Sequence, residues 1–344
     1  MTRSGNPSEF RSATANGKQE ASKAAQATRE AGSKTEDSSI VRLTVMAVDN
    51  IYLGFGTAGL GDIGFQCVTN ALHAGFRSFD TAEEADYWYD QKQVGDALES
   101  FFTESTNLVG GEGKEEKSCL RAGGGGTGMT TSTSSQDHTG SICEEENLKI
   151  STKIPPWELT SLENIRQRAS ASRDTLVGFC DQPGQSEKFP LDVYYIHAPE
   201  CWKGWHTRCD EATNLLPLRD AWRAMEAVAG IDFNAKRIGL SNVYPEQLLD
   251  IINFVKEREE VGNGYPPPRL PDVLQSYADP LRPALELREI CEEHGIEFVS
   301  FSTLGTQWRQ KTNPVLGNDD INDIANKVGR SPAEVVLSWA LQRG

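Results

Sequence analysis

Asp80, Lys153 and His197 each close a short apolar run, in FRSFD, KISTKI and LDVYYIH, and a Tyr-rich stretch, DYWYDQ, follows Asp80. A phenol beside an ammonium becomes more acidic, because the cation favours phenolate. A carboxylate next to that ammonium keeps it charged and in place. A nearby imidazole can orient a carbonyl or share a proton with it. Together the four groups would make a phenolic acid able to protonate a carbonyl oxygen as hydride reaches its carbon. Any one of them alone is more often part of a buried ion pair or a hydrogen-bonded core. Their common place at strand ends is what favours chemistry.

Those residues need elements that bring them to one place. β-rich runs fall at 51–56, 76–80, 149–154, 191–197, 237–241, 272–277 and 296–302. Helical patterns lie between them: FQCVTNALHAG, QKQVGDALESFF, SLENIRQRASASRDTLV, LRDAWRAMEAVAG, PEQLLDIINFVKERE and PALELREICEEHG. Leu218, Trp222 and Met225 have the i, i+4, i+7 spacing of a buried helical stripe. Gly75, Gly230 and Gly295 stand at or near helix C-termini, where a left-handed residue is wanted. Strands alternating with helices predict βαβ units and a parallel sheet. No Gly-rich turn follows the first run, so the dinucleotide fingerprint of a doubly wound sheet is absent. The expected fold is an α/β (β/α)8 TIM barrel with about seven βα units present and the C-terminal unit missing. Strand C-terminal ends carry the chemistry in such a barrel, and here they read Asp80, Lys153, His197, Ser241-Asn242, Gln275 and Ser302.

Composition sets the limits. The chain has 344 residues, 38% of them apolar, and 34 Lys plus Arg stand against 50 Asp plus Glu, a net charge of -16. That balance argues against nucleic acid or an anionic membrane as the partner, since both call for clustered positive charge. LTVMAV and VVLSWAL are far short of the roughly 20 apolar residues that cross a bilayer. Residues 1–39 have no apolar signal segment, and their acidic residues oppose a transit peptide, so a disordered tail is expected. Residues 104–147 hold 9 of the 31 Gly. Their GGGGTG is preceded by no strand and followed by no Gly-Lys-Ser/Thr, so a flexible insertion is expected there rather than a phosphate loop. The barrel itself is expected over 48–344. Seven irregularly spaced cysteines in a long chain suggest a reduced, cytoplasmic compartment. HAPECWKGWHTRC contains residue types that zinc prefers, but their spacing matches no common structural site, and no metal is expected.

In combination these motifs resemble the aldo-keto reductase family, from about Tyr52 to Gly344. GFRSFDTA with QKQVGDAL is similar to the family's first signature, LKISTKI to its lysine strand and LDVYYIHAP to its histidine strand. AKRIGLSNVYPEQL and DVLQSYADP resemble the turn and strand that follow, and VVLSWALQRG the helix before the last strand. The resemblance implies a tetrad of Asp80, Tyr89, Lys153 and His197. WYDQ is similar to the family's Trp-Tyr-Asp/Asn variant, which favours Tyr89 over Tyr87. Ser241, Asn242 and Gln275 would hold the nicotinamide carboxamide. Phe301, in SFSTLG, stands where a Tyr usually stacks on the ring. Gly56 and Thr57 would touch the cofactor through their backbone, Asp80 would also face it, and Ser302 and Leu304 would approach the pyrophosphate. Trp202 and Trp205 would wall a pocket for an apolar carbonyl compound.

The resemblance thus implies reduction of a small aldehyde or ketone to an alcohol, with hydride from nicotinamide C4 and a proton from Tyr89. NADPH is the expected cofactor, and NADH remains open. The second reading is a catalytically silent barrel that serves as a binding or regulatory subunit. After VVLSWALQRG the family continues into an eighth strand and the Lys and Arg that hold the adenosine 2′-phosphate. A truncated chain is therefore expected, a monomer or weak oligomer with little preference between the two cofactors.

Overall fold

The computed structural model describes residues 53–84, 88–109, 142–181, 187–262, 265–305 and 313–343. All belong to the second of two units into which the chain divides, Asn50–Gly344. The tail 1–39, Tyr87 and residues 110–141 of the expected insertion lie outside the described residues.

Seven strands form one parallel sheet in sequential order: β1 (Phe55–Gly56), β2 (Ser78–Asp80), β3 (Lys149–Ile154), β4 (Leu191–Ile196), β5 (Ala235–Ser241), β6 (Val273–Tyr277) and β7 (Glu297–Phe301). Every crossover contains helix. α1 (Gly64–His73) joins β1 to β2, and α2 (Gln91–Val109) and α3 (Ile142–Glu145) lie between β2 and β3. α4 (Leu162–Val177) follows β3, α5 (Thr207–Glu211) and α6 (Leu218–Gly230) follow β4, α7 (Pro245–Val261) follows β5 and α8 (Leu285–His294) follows β6. α9 (Asp319–Val328) and α10 (Pro332–Leu341) come after β7. This is the TIM-barrel-like α/β fold expected from the alternation. α2 and α3 both reach into the span that composition had marked as insertion.

The sheet curls. Gln275 Nε2 on β6 donates to Asp80 Oδ2 on β2 at 2.9 Å, although four strand spacings of a flat sheet would separate those strands by roughly 19 Å. Alternation along β4 shows the two sides. Val193 and Tyr195 pack inside with Val273 and Val299, whereas Tyr194 and Ile196 join the larger core under the helices. Burial on both faces is why LDVYYI reads as a nearly continuous apolar run. Gly239 on β5 makes room for the inward ring, because a Cβ there would lie 2.5 Å from Tyr195 and 2.6 Å from the Val273 carbonyl oxygen.

On α6, Trp222 and Met225 are fully buried and Leu218 packs beside them, as the stripe predicts. Gly75 (φ 94°) and Gly295 (φ 66°) take the left-handed conformation, but Gly230 does not. It is the last residue of α6, and the chain makes its left-handed turn at Phe233 instead.

The cysteines depart from expectation. Cys143 pairs with Cys180 and Cys201 with Cys209, leaving Cys67 and Cys291 as the free thiols among the described residues. The first pair is 37 residues apart in sequence. The fold brings α3 against the turn after α4, so the Cα atoms come within 5.8 Å, well inside bridging range. No described helix is long and apolar enough to cross a membrane.

Candidate active site at the strand ends

Parallel register carries the polar strand ends to one rim. Lys153 pairs with Tyr195 across β3 and β4, and Ser241 pairs with Gln275 across β5 and β6. Lys153, 1% exposed, donates from Nζ to Asp80 Oδ1 and, at 2.9 Å, to the Thr81 carbonyl oxygen. An ammonium taken out of water needs such partners, and here it has a carboxylate and a carbonyl.

Tyr89 sits in the loop after β2, with its ring centre 5.6 Å from Lys153 Nζ. That is a cation–π distance to the ring rather than a hydrogen bond to the phenol oxygen. The Tyr89 phenol is shifted in the direction opposite to the acidity expected for a Tyr beside a Lys. Burial pushes the Tyr89 phenol well above its ordinary value, and the Asp80 and Glu84 carboxylates push it further.

His197 follows β4 directly. Its backbone N–H donates to Ile154 and its carbonyl accepts from Asn242 Nδ2, both at 2.9 Å. Its ring stands edge-on to Tyr89 and to Trp205, with centres 5.8 and 5.6 Å away. Trp202 lies 5.3 Å behind Trp205. Asp80, Tyr89, Lys153, His197 and Trp205 are thus brought together.

Ser241, Asn242 and Gln275 also gather at this rim. Asn242 takes the left-handed conformation (φ 57°), which Asn tolerates, and its amide nitrogen reaches Ser241 Oγ as well as His197. Among the described residues, the amide oxygens of Asn242 and Gln275 accept no hydrogen bond, and the Ser241 hydroxyl donates none. Thr57 donates from N and Oγ1 to the Asp80 carbonyl, both at 3.0 Å, and so holds β1 to β2. Gly56 is exposed and faces open space. Phe301 is half-buried beside Tyr277, and Ser302 turns the chain at φ 53°. Leu304 packs against Val315, Ile321 and Val336.

Two residues at the rim were not legible as site residues. Trp157 stacks on His206 at 4.7 Å, meets Trp205 edge-on, and has a buried indole nitrogen without a partner. Its only signal was KIPPW, directly after the lysine. Glu84 lies against His197, and its only signal was the pair of glutamates after Asp80-Thr-Ala. Cys201 and Cys209, bonded to each other, present no thiolate to a metal. A separate cavity of 360 Å³, lined by Gly75, Arg77, Ser78 and Lys149 among others, opens at the opposite strand ends. That end of a barrel serves stability rather than chemistry.

The Aldo/keto reductase family model matches residues 131–344. Asp80 and Tyr89 lie before that match, and Lys153 and His197 within it. Aldo-keto reductase family 1 member A1 of Xenopus tropicalis is 32% identical over 167 residues, covering 44% of this chain and 46% of the relative. A 7-acetyl-epi-neemfruitin B aldo-keto reductase of Melia azedarach is 31% identical over 159 residues, 45% of each chain. A probable NAD(P)H-dependent D-xylose reductase of Aspergillus terreus is 27% identical over 174 residues, 45% of this chain and 50% of the relative. The chain thus spans about half the length of the curated relatives it matches.

Proposed function

The chain belongs to the aldo/keto reductase family, and from that premise we propose that it reduces an aldehyde or ketone to an alcohol with a nicotinamide cofactor. The observation that carries the reading is the convergence of Tyr89, Lys153, Asp80 and His197 at one rim of the barrel. Tyr89 donates the proton to the carbonyl oxygen. Burial and two carboxylates keep its phenol protonated, which is the form that donates. Asp80 holds Lys153 beside the Tyr89 ring, and the Tyr89 and His197 rings stand edge-to-face where a carbonyl would be received. Trp205, Trp202 and Trp157 supply an apolar wall beside it.

The residues present fit a nicotinamide. A carboxamide has two donors and an acceptor, and Asn242 Oδ1, Gln275 Oε1 and the Ser241 hydroxyl offer two acceptors and a donor. When bound, the cofactor would supply hydride. Phe301 can stack on its ring, which needs only an aromatic face. Gly56, where no side chain intervenes, allows close backbone approach, and Thr57, Ser302 and Leu304 complete the cofactor side. NADPH is the proposed cofactor. NADH remains open, in keeping with the NAD(P)H in the name of the xylose reductase relative.

Mixing the purified chain with NADPH and benzaldehyde should consume the cofactor absorbance and yield the alcohol. The second reading, a silent barrel used for binding, is favoured by one observation. Among the described residues, the outer edges of β1 and β7 have no strand partner. Tight cofactor binding with no turnover of any carbonyl would sink the enzyme reading in its favour.

A further inference from the structure

Glu84 has a buried side chain, 1% exposed, whose Oε1 lies 2.6 Å from His197 Nδ1. Neither atom has another hydrogen-bond partner among the described residues, and the two are close without being in line. A modest turn of the ring would seat an Nδ1–H on the carboxylate and satisfy both atoms, whereas buried polar atoms left unpaired are costly. Among the described residues no other carboxylate competes for the ring. Asp80 is engaged by Lys153 and Gln275, and Glu83 turns away to Arg168, Ser172 and Tyr194. Glu84 also anchors the tyrosine loop, because its carbonyl accepts from the Trp88 and Tyr89 N–H groups, both at 3.3 Å.

We propose that Glu84 is a positioning residue: its carboxylate accepts a hydrogen bond from His197 Nδ1, fixes the ring between Tyr89 and Trp205, and leaves Nε2 as the nitrogen that meets the substrate. The hydrogen bond made by one ring nitrogen sets what the other can do. One residue thus touches two of the groups around the carbonyl, the His197 ring through its carboxylate and the Tyr89 loop through its backbone carbonyl. This inference rests on the proposed carbonyl reduction for its consequence, but not for its geometry.

Nitrogen-15 NMR of the His197 ring in the full chain tests the geometry without any turnover, with signals assigned by comparison with His197→Asn. The expected spectrum shows a proton on Nδ1. In Glu84→Leu, which offers no acceptor, the Nδ1 proton signal is lost or displaced, while Glu84→Gln retains it through the amide oxygen. With benzaldehyde and NADPH, Glu84→Leu should lower kcat/KM by about 10- to 100-fold, the scale of a misplaced catalytic group. Cofactor affinity should stay unchanged, and Glu84→Gln should recover most of the loss. A wild-type ring protonated on Nε2 alone, or the same ring spectrum in folded Glu84→Leu, would overturn the assignment. If Glu84→Leu does not fold, the wild-type and Glu84→Gln spectra decide. A chain that reduces no carbonyl yet shows the Nδ1 proton lost only in Glu84→Leu would retain the pairing and reject the reductase reading.

Discussion

Burial raises the Tyr89 phenol, and the Asp80 and Glu84 carboxylates add to that effect, so the proton stays on oxygen above the ordinary phenol value of 10.0. The sign follows from charge: a phenolate there would be an anion among anions, partly out of water. Turnover should therefore show no alkaline loss from Tyr89 ionisation until the pH exceeds that ordinary value. A rate–pH profile limited by the chemical step checks this, and a fall centred well below pH 10 that Tyr89→Phe abolishes would contradict it. Tyr89→Phe itself should lower kcat by about 10²–10⁴, the usual worth of a general acid. NADPH affinity, followed by Trp fluorescence, should hardly change, because no cofactor contact is assigned to the phenol.

Helices α2 and α4 touch closely at Gly95, where an added Cβ would run into the Thr175 carbonyl oxygen. Helix propensity alone favours Gly95→Ala by up to about 1 kcal/mol. Backbone cannot step aside as a flexible side chain can, and overpacking costs about 1–3 kcal/mol. The variant should thus be less stable than the parent in a urea melt, and a gain in stability would mean the two helices can separate freely. Elements also decide which thiols react. Cys291 on α8 is buried, which pushes its thiol up to about 12, while Cys67 on α1 is half-exposed. In the native, unreduced chain, a thiol-alkylating reagent at neutral pH should label Cys67 and spare Cys291. Peptides containing Cys143, Cys180, Cys201 and Cys209 should be labelled only after reduction and denaturation. Labelling of those four without a reductant would show that the pairs are open in solution.

At the scale of the whole sheet, β1 contributes only two residues and pairs with β2 alone, and β7 is half-buried along its length and pairs with β6 alone among the described residues. Unpaired edges offer N–H and C=O groups to other chains. The 344-residue chain should accordingly sediment faster as its concentration rises, with association reversed on dilution. A single monomeric species across the whole concentration range would mean that both edges are covered. The curl that brings β6 within hydrogen-bond reach of β2 also belongs to this scale. Loss of the Gln275 to Asp80 bond would loosen the setting of Lys153, because the same carboxylate holds both.

By itself the amino-acid sequence determined the alternation of strands and helices, the parallel α/β class, and which polar residues end which strands. These are local properties, written in the period of apolar residues and in where each apolar run stops. Asp80, Lys153 and Ser241 could be placed at or beside strand ends that way because a residue's position along its own strand needs no knowledge of its neighbours, whereas Gln275, expected at an end, lies in the middle of β6. Tertiary structure decided which groups share a charge. Glu84 and His197 are far apart in the chain, so no spacing rule joins them, and only the folded sheet brings the carboxylate within 2.6 Å of the imidazole. The same holds for Cys143 with Cys180, and for Trp157 behind Trp205. The Tyr89 phenol is the clearest case. Asp80 and Lys153 were expected beside it and Glu84 was not, and the sign of its shift depends on how much water remains and on which carboxylates face it. Those are distances and solvation in three dimensions, which a linear pattern does not carry.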